Sequence, residues 1–145
     1  MDLELALVLS CDETGCLVQY LEGGEPLQTI YSAAVKDRIR IRRRQLVAVD
    51  RSSDPPQSVW RWQQAKVLEV RAAHVVVGAR SICVEARVRR PDLTLPVGER
   101  VWVAGTADGP HIFDRVVNGR PEHPDRFRQE AFPLVEAEYA TMNGS

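Results

Sequence analysis

Long apolar runs are missing from this sequence of 145 residues, as are abundant lysine, an even set of cysteines and a clear excess of either charge. No stretch approaches the roughly 20 apolar residues that a bilayer-crossing helix needs. The opening Met1-Asp2-Leu3-Glu4 is acidic where a secretory leader would be basic. Together these absences predict a cytoplasmic protein with no membrane partner. Three cysteines, an odd number beside no export signal, argue against a disulfide framework and for reduced thiols. A net charge of −1 excludes a global positive field that would draw in nucleic acid, so any such binding must come from a local patch. Of the 19 basic side chains only Lys36 and Lys66 are lysines, which favours forked guanidinium contacts over point charges. Walker-type and dinucleotide glycine patterns are absent, as is a Gly-x-Ser-x-Gly elbow, so neither catalytic residues nor a cofactor are expected.

What is present is a succession of short apolar segments separated by turn chemistry. Leu3 to Leu9 and Leu17 to Leu21 flank the polar Cys11-Asp12-Glu13-Thr14-Gly15-Cys16, a hairpin signal, and Glu22-Gly23-Gly24-Glu25-Pro26 turns the chain into Leu27 to Tyr31. Ser32 to Asp37 can hold one helical turn capped by Ser32. Arg38-Ile39-Arg40-Ile41-Arg42 alternates strictly and predicts a strand, followed by Leu46 to Val49 and, after a proline-bearing loop, Val59 to Trp62. From Ala65 the pattern starts again. Ala65 to Leu68 echoes Ala6 to Leu9, and Val47, Val49, Asp54 and Pro56 recur at the same mutual spacing as Val101, Val103, Asp108 and Pro110.

Short strands at this spacing predict an all-β protein of two tandem small β-barrel units, of oligonucleotide-binding (OB) or SH3-like type, packed together. The first would cover residues 1–64 and the second 65–142, ending in a C-terminal tail. A single larger β domain is the alternative. Asn118-Gly119 predicts a tight turn, Arg120 to Arg128 a proline-broken loop, and Ala131 to Ala140 an extended or weakly helical tail.

Leu27-Gln28-Thr29-Ile30-Tyr31-Ser32, then Val35-Lys36-Asp37-Arg38-Ile39-Arg40-Ile41, then Gln45-Leu46-Val47-Ala48-Val49, with Ala6 to Leu9 as first strand, follow one another in a familiar order. Over about the first 65 residues this resembles the S1-type OB-fold, in particular the bacterial translation initiation factor 1 family. The resemblance implies a small barrel that binds nucleic acid. The chain departs from the family at Arg43-Arg44-Gln45, where a proline or glycine and an acidic residue usually stand; Pro96-Val97-Gly98-Glu99 fits that pattern better. The likeness therefore speaks for the fold more than for a ribosomal role.

The candidate nucleic-acid contacts are Lys36, Arg38, Arg40, Arg42, Arg44, Trp60 and Trp62. In an extended segment the four arginines share one face about 6.6–7 Å apart, a ladder that could follow a phosphate backbone, while Ile39 and Ile41 face inward. A solvated, charge-blunted edge strand is the plainer reading. Trp60 and Trp62 share a strand face and could stack bases, or simply close the core; Trp102 is a further contact if exposed. Cys11 and Cys16 form one loosely spaced pair with no second pair nearby, so no zinc site is expected; they read as two strand-end thiols, with Cys83 a small buried hydrophobe. His111 near Asp108 and Asp114 is the local acid-base grouping, without a nucleophile beside it. The expectation is a non-catalytic, single-stranded nucleic-acid binding protein, with RNA foremost. The alternative is a protein-interaction or assembly module, including self-association, since Arg and Trp anchor such interfaces too.

Overall fold

The computed structural model describes residues 1–142, with the side chains of all but 37, 38 and 142. It is mostly β. The strands are β1 (Leu3–Cys11), β2 (Gly15–Tyr20), β3 (Leu27–Tyr31), β4 (Leu46–Asp50), β5 (Gln57–Val70), β6 (Val75–Ala79), β7 (Ile82–Val88), β8 (Arg100–Thr106), β9 (Gly109–Val117) and β10 (Arg120–Pro121). Two helices, α1 (Ala33–Arg38) and α2 (Pro124–Met142), complete the chain. No helix among the described residues is long and apolar enough to cross a membrane.

The chain forms two compact units, Met1–Arg61 together with residues 128–142, and Trp62–Phe127. The boundary falls inside β5, a continuous strand of 14 residues, where sequence periodicity suggested one strand ending and another beginning around 64. In the first unit β1 pairs with β2 and β2 with β3, both antiparallel, β3 runs parallel to the start of β5, and β4 pairs with both β1 and β5. The second unit repeats this order: β5 with β6, β6 with β7, β7 parallel to β9, and β8 with both β5 and β9. The valines that echo one another in sequence, Val47 and Val49 against Val101 and Val103, thus sit on β4 and β8, which hold the same place in the two pairing orders.

Period-two alternation builds both cores. Ala6 and Val8, Cys16 and Val18, and Val47 and Val49 point to one side and pack with Val35 and Ile41. In the second unit Ala65 and Val67, Val75 and Val77, and Val101 and Val103 do the same with Ala86, Leu95 and Ile112. Gly15 allows the close approach of β2 to β3, since a Cβ there would stand 1.8 Å from the Thr29 carbonyl oxygen. Asn118 (φ 53°) and Gly119 (φ 74°) both take the left-handed conformation of a type I′ hairpin, joining β9 to β10 as expected.

The segment after β10 differs from expectation. Residues from Pro124 onward are a helix of 19 residues with Pro133 inside it; the proline-broken loop expected as far as Arg128 gives way to helix from Pro124, and of the two readings of the tail from Ala131 to Ala140 the helical one holds. Pro124 stands at the first helical position, where its missing N–H is no loss, Asp125 lies in the first turn, and the Phe127 N–H closes the first turn on the His123 carbonyl at 2.9 Å. The buried stripe Phe127, Ala131, Val135 has the four-residue spacing of one helical face. Within the first unit, the Arg128 guanidinium donates to the buried Glu4 carboxylate at 2.7 Å.

Candidate functional site

The basic segment between β3 and β4 is not a strand. Ser32 caps α1 by accepting the Val35 N–H at 3.2 Å, and the helix ends where Ile39 turns extended (φ −125°, ψ 122°). Arg42 to Gln45 then closes a turn: the Arg42 N–H donates to the Gln45 side-chain oxygen at 2.8 Å and the Gln45 N–H to the Arg42 carbonyl at 3.3 Å. The turn is pinned to β1, because the Arg44 N–H donates to the Val8 carbonyl and the Val8 N–H to the Gln45 carbonyl, both at 3.0 Å. Arg44 itself has φ 70°, a left-handed conformation that costs a side chain about 1–2 kcal/mol and glycine little. Alternation therefore survives in burial but not in sheet pairing. Ile41 enters the core, Ile39 packs against it, and Arg40 is exposed.

The ladder expected of Arg38, Arg40, Arg42 and Arg44 is replaced by a bent display. Lys36 on α1 and Arg40, Arg43 and Arg44 beyond it are exposed, Arg42 is half-buried, and the Arg38 side chain lies outside the described residues. None of the described cations in this run is ion-paired with a described carboxylate, whereas Arg51, Arg71, Arg90, Arg115, Arg126 and Arg128 all are. Lys36 and Arg40 line a cleft of about 610 Å³ with Cys11, Asp12 and Glu13 of the first hairpin, Tyr31 of β3, and Val35, Ile39 and Ile41.

The groups in this cleft are electrostatically settled. Asp12 accepts from the Thr14 N–H and hydroxyl, both at 2.8 Å, and from the Gly15 N–H at 3.0 Å, which hold its carboxyl below the ordinary range. Tyr31 donates its hydroxyl to the Asp12 carbonyl at 3.0 Å, and burial, followed by the neighbouring Cys11 thiol, pushes its ionisation far up, so it stays a neutral phenol. Burial and then the adjacent Cys16 likewise raise the Cys11 thiol.

The tryptophans are not a platform. Trp60 is 5% exposed and Trp62 and Trp102 not at all, so the stacking roles foreseen for Trp60 and Trp62 are corrected to packing. Alternation assigned them to a face, but β5 is covered on both faces there, with Val59 also fully buried. In the second unit Trp62 packs edge-on against Phe127 at 5.1 Å and Phe113 at 5.9 Å between centroids. Cys83 is corrected too: it is exposed, not a buried hydrophobe.

A second grouping went unforeseen, because Arg90 reaches Asp114 from 24 positions earlier in the chain. Asp114, fully buried, accepts from the Arg90 guanidinium at 2.8 Å, the Arg115 N–H at 2.8 Å and the His123 N–H at 2.7 Å. Asp114, Glu122 and His123 bring one ligand atom each within 4.8 Å of one another. Yet Arg90 already neutralises Asp114, and Arg115 grips both Glu122 oxygens. A cation would have to displace two guanidinium groups, so the set is an ion-pair network as it stands. His111 faces Arg89 at 3.2 Å and not Asp114; burial, then Arg89, lowers its pKa and keeps it neutral. No protein-family model matches the chain, and no curated protein matches it either.

Proposed function

We propose that this chain is a non-catalytic single-stranded nucleic-acid binding protein, with RNA as its ligand, built as two tandem barrels of oligonucleotide-binding type. The observation that carries the reading is the run of exposed cations with no carboxylate partner among the described residues, Lys36, Arg40, Arg43 and Arg44, in a chain whose other arginines are so often paired. The pairing order of the first unit, with a helix between its third and fourth strands, supports the barrel. Such folds use the face of strands two and three and the loop between strands one and two to hold oligonucleotides, and the cleft is walled by that loop and by Tyr31 of the third strand. Tyr31 replaces the tryptophans as the aromatic surface for a base, with Lys36 and Arg40 beside it for phosphates. RNA is favoured by the likeness to the initiation factor 1 family. Arg44 keeps a guanidinium where glycine would be the relaxed residue.

The test is fluorescence anisotropy with a labelled single-stranded RNA at a series of salt concentrations. Four neutralised phosphates predict a log–log slope of about −3, at roughly −0.7 per phosphate. Arg44→Gly relieves backbone strain, so it should fold at least as well while weakening binding and flattening that slope. Absence of binding at low salt, or affinity indifferent to salt, overturns the proposal. A second reading, a self-association module, is favoured by Ile82 and Val97 of the second unit, 65% and 67% exposed; light scattering showing a nuclease-resistant oligomer would select it.

A further inference from the structure

The first hairpin places two thiols opposite one another. In its register Cys11 faces Cys16, and the Asp12 N–H donates to the Gly15 carbonyl at 3.0 Å, which makes Asp12–Gly15 a hydrogen-bonded pair. Pairs alternate along an antiparallel ladder, so Cys11–Cys16 is the next, non-hydrogen-bonded kind, whose Cα atoms stand about 4.5 Å apart with side chains closest. That lies within the approximate 4.4–6.8 Å window of a disulfide. A register shift between Val8 and Ser10 makes this possible. Without the extra residue, Cys11 would follow Ala6 and Val8 out of phase and point to the other face. The two thiols differ in access. Cys16 is fully buried, its sulfur held 3.3 Å from the Thr29 hydroxyl and 3.4 Å from that of Ser58, while Cys11 is exposed on the cleft wall.

We propose that Cys11 and Cys16 form a reversible oxidative modification site, in which Cys11 meets a low-molecular-weight disulfide such as glutathione disulfide and Cys16 resolves the adduct. Cys11, as thiolate, attacks one sulfur of glutathione disulfide. The S–S bond breaks, and one glutathione leaves with the electron pair and takes up the proton that Cys11 lost. Cys16, deprotonated in turn, attacks the Cys11 sulfur, forming the internal disulfide and releasing the second glutathione as thiol. Two protein thiols are oxidised and one glutathione disulfide is reduced, so the step balances. Because the Cys11 thiol is held up by burial and by its neighbour, little thiolate exists at neutral pH and the first attack is slow, quickening as pH rises. The bridge would close the loop from Cys11 to Cys16 that forms one wall of the cleft.

The experiment incubates the full chain with glutathione disulfide, quenches with acid, alkylates free thiols and measures intact and peptide masses. Exposed Cys83, on β7 of the other unit, is the internal control for a thiol without a resolving partner. The expected result is a glutathione adduct on Cys83 and a peptide joining Cys11 to Cys16 that has lost two hydrogen atoms. In Cys16→Ser the adduct should instead accumulate on Cys11. The proposal is overturned if wild-type Cys11 retains glutathione as Cys83 does, or stays unmodified while Cys83 reacts. The wild-type readout stands even if Cys16→Ser fails to fold. Being a mass, it is independent of whether the cleft binds RNA.

Discussion

Replacing Asp114 with Ala takes from the buried Arg90 guanidinium the carboxylate to which it donates at 2.8 Å. Arg90 is 4% exposed and Asp114 1%, so their 2.8 Å pair is buried. Removing one partner of a buried pair typically costs about 3–5 kcal/mol. Two backbone N–H groups, of Arg115 and His123, also lose their acceptor, each worth about 1–3 kcal/mol if it stays dry. These losses overlap, since water admitted for one group serves the others, so Asp114→Ala should destabilise the protein by about 4 kcal/mol. That is a large part of the roughly 5–15 kcal/mol that holds a domain of ordinary size together. Urea unfolding followed by tryptophan emission reads it directly, because Trp62 and Trp102 are fully buried in the same unit. The double variant Arg90→Met with Asp114→Ala removes both charges and should recover part of the loss. A shift in unfolding free energy below about 1 kcal/mol for the single variant, or a double variant no better than the single, would refute the assignment of this pair as a buried, water-excluded contact.

Gly15→Ala should destabilise the first unit by about 3 kcal/mol or more, as its methyl group would enter the Thr29 carbonyl and part β2 from β3; circular dichroism on heating measures it, and an unchanged midpoint would sink the argument. For Asp50, burial raises the carboxyl, but donors from the Ser52 hydroxyl at 2.6 Å, the Ser52 and Asp2 N–H groups and the Ser53 hydroxyl outweigh it and hold the pKa below 3.8. A carboxyl with a lowered folded pKa stabilises above its unfolded value, and that stabilisation is lost as pH falls from about 4 through the folded pKa. Asp50→Asn should accordingly melt lower than wild type at pH 7, with the gap shrinking as pH falls below about 4, the ordinary carboxyl value; a gap constant with pH would contradict it.

Much of the local structure was legible from residue order. Ser32 as cap, the turn at Asn118-Gly119 and the inward set Ile41, Val47 and Val49 follow from forces acting within a few residues, namely side-chain capping, left-handed turn preference and period-two alternation. The echo between Val47/Val49 and Val101/Val103 likewise marked strands with the same neighbours. The basic run was recognised as exposed but not as bent, because its shape depends on hydrogen bonds from Val8, more than thirty positions earlier in the chain.

What only the tertiary structure decided shares one cause: it depends on what arrives from elsewhere in the chain. Alternation says which side of β5 Trp60 and Trp62 occupy, but not that both sides there are covered. Pro124 and Pro133 read locally as breaks, yet a helix forms through them because its stripe of Phe127, Ala131 and Val135 is buried. Arg90, Asp114 and His123 carry no joint signal in sequence, and the shift that sets Cys11 against Cys16 exists only once β1 has paired with β2. Local preference is a matter of one residue and its near neighbours, whereas burial and charge pairing are properties of two surfaces that meet only when the chain has folded.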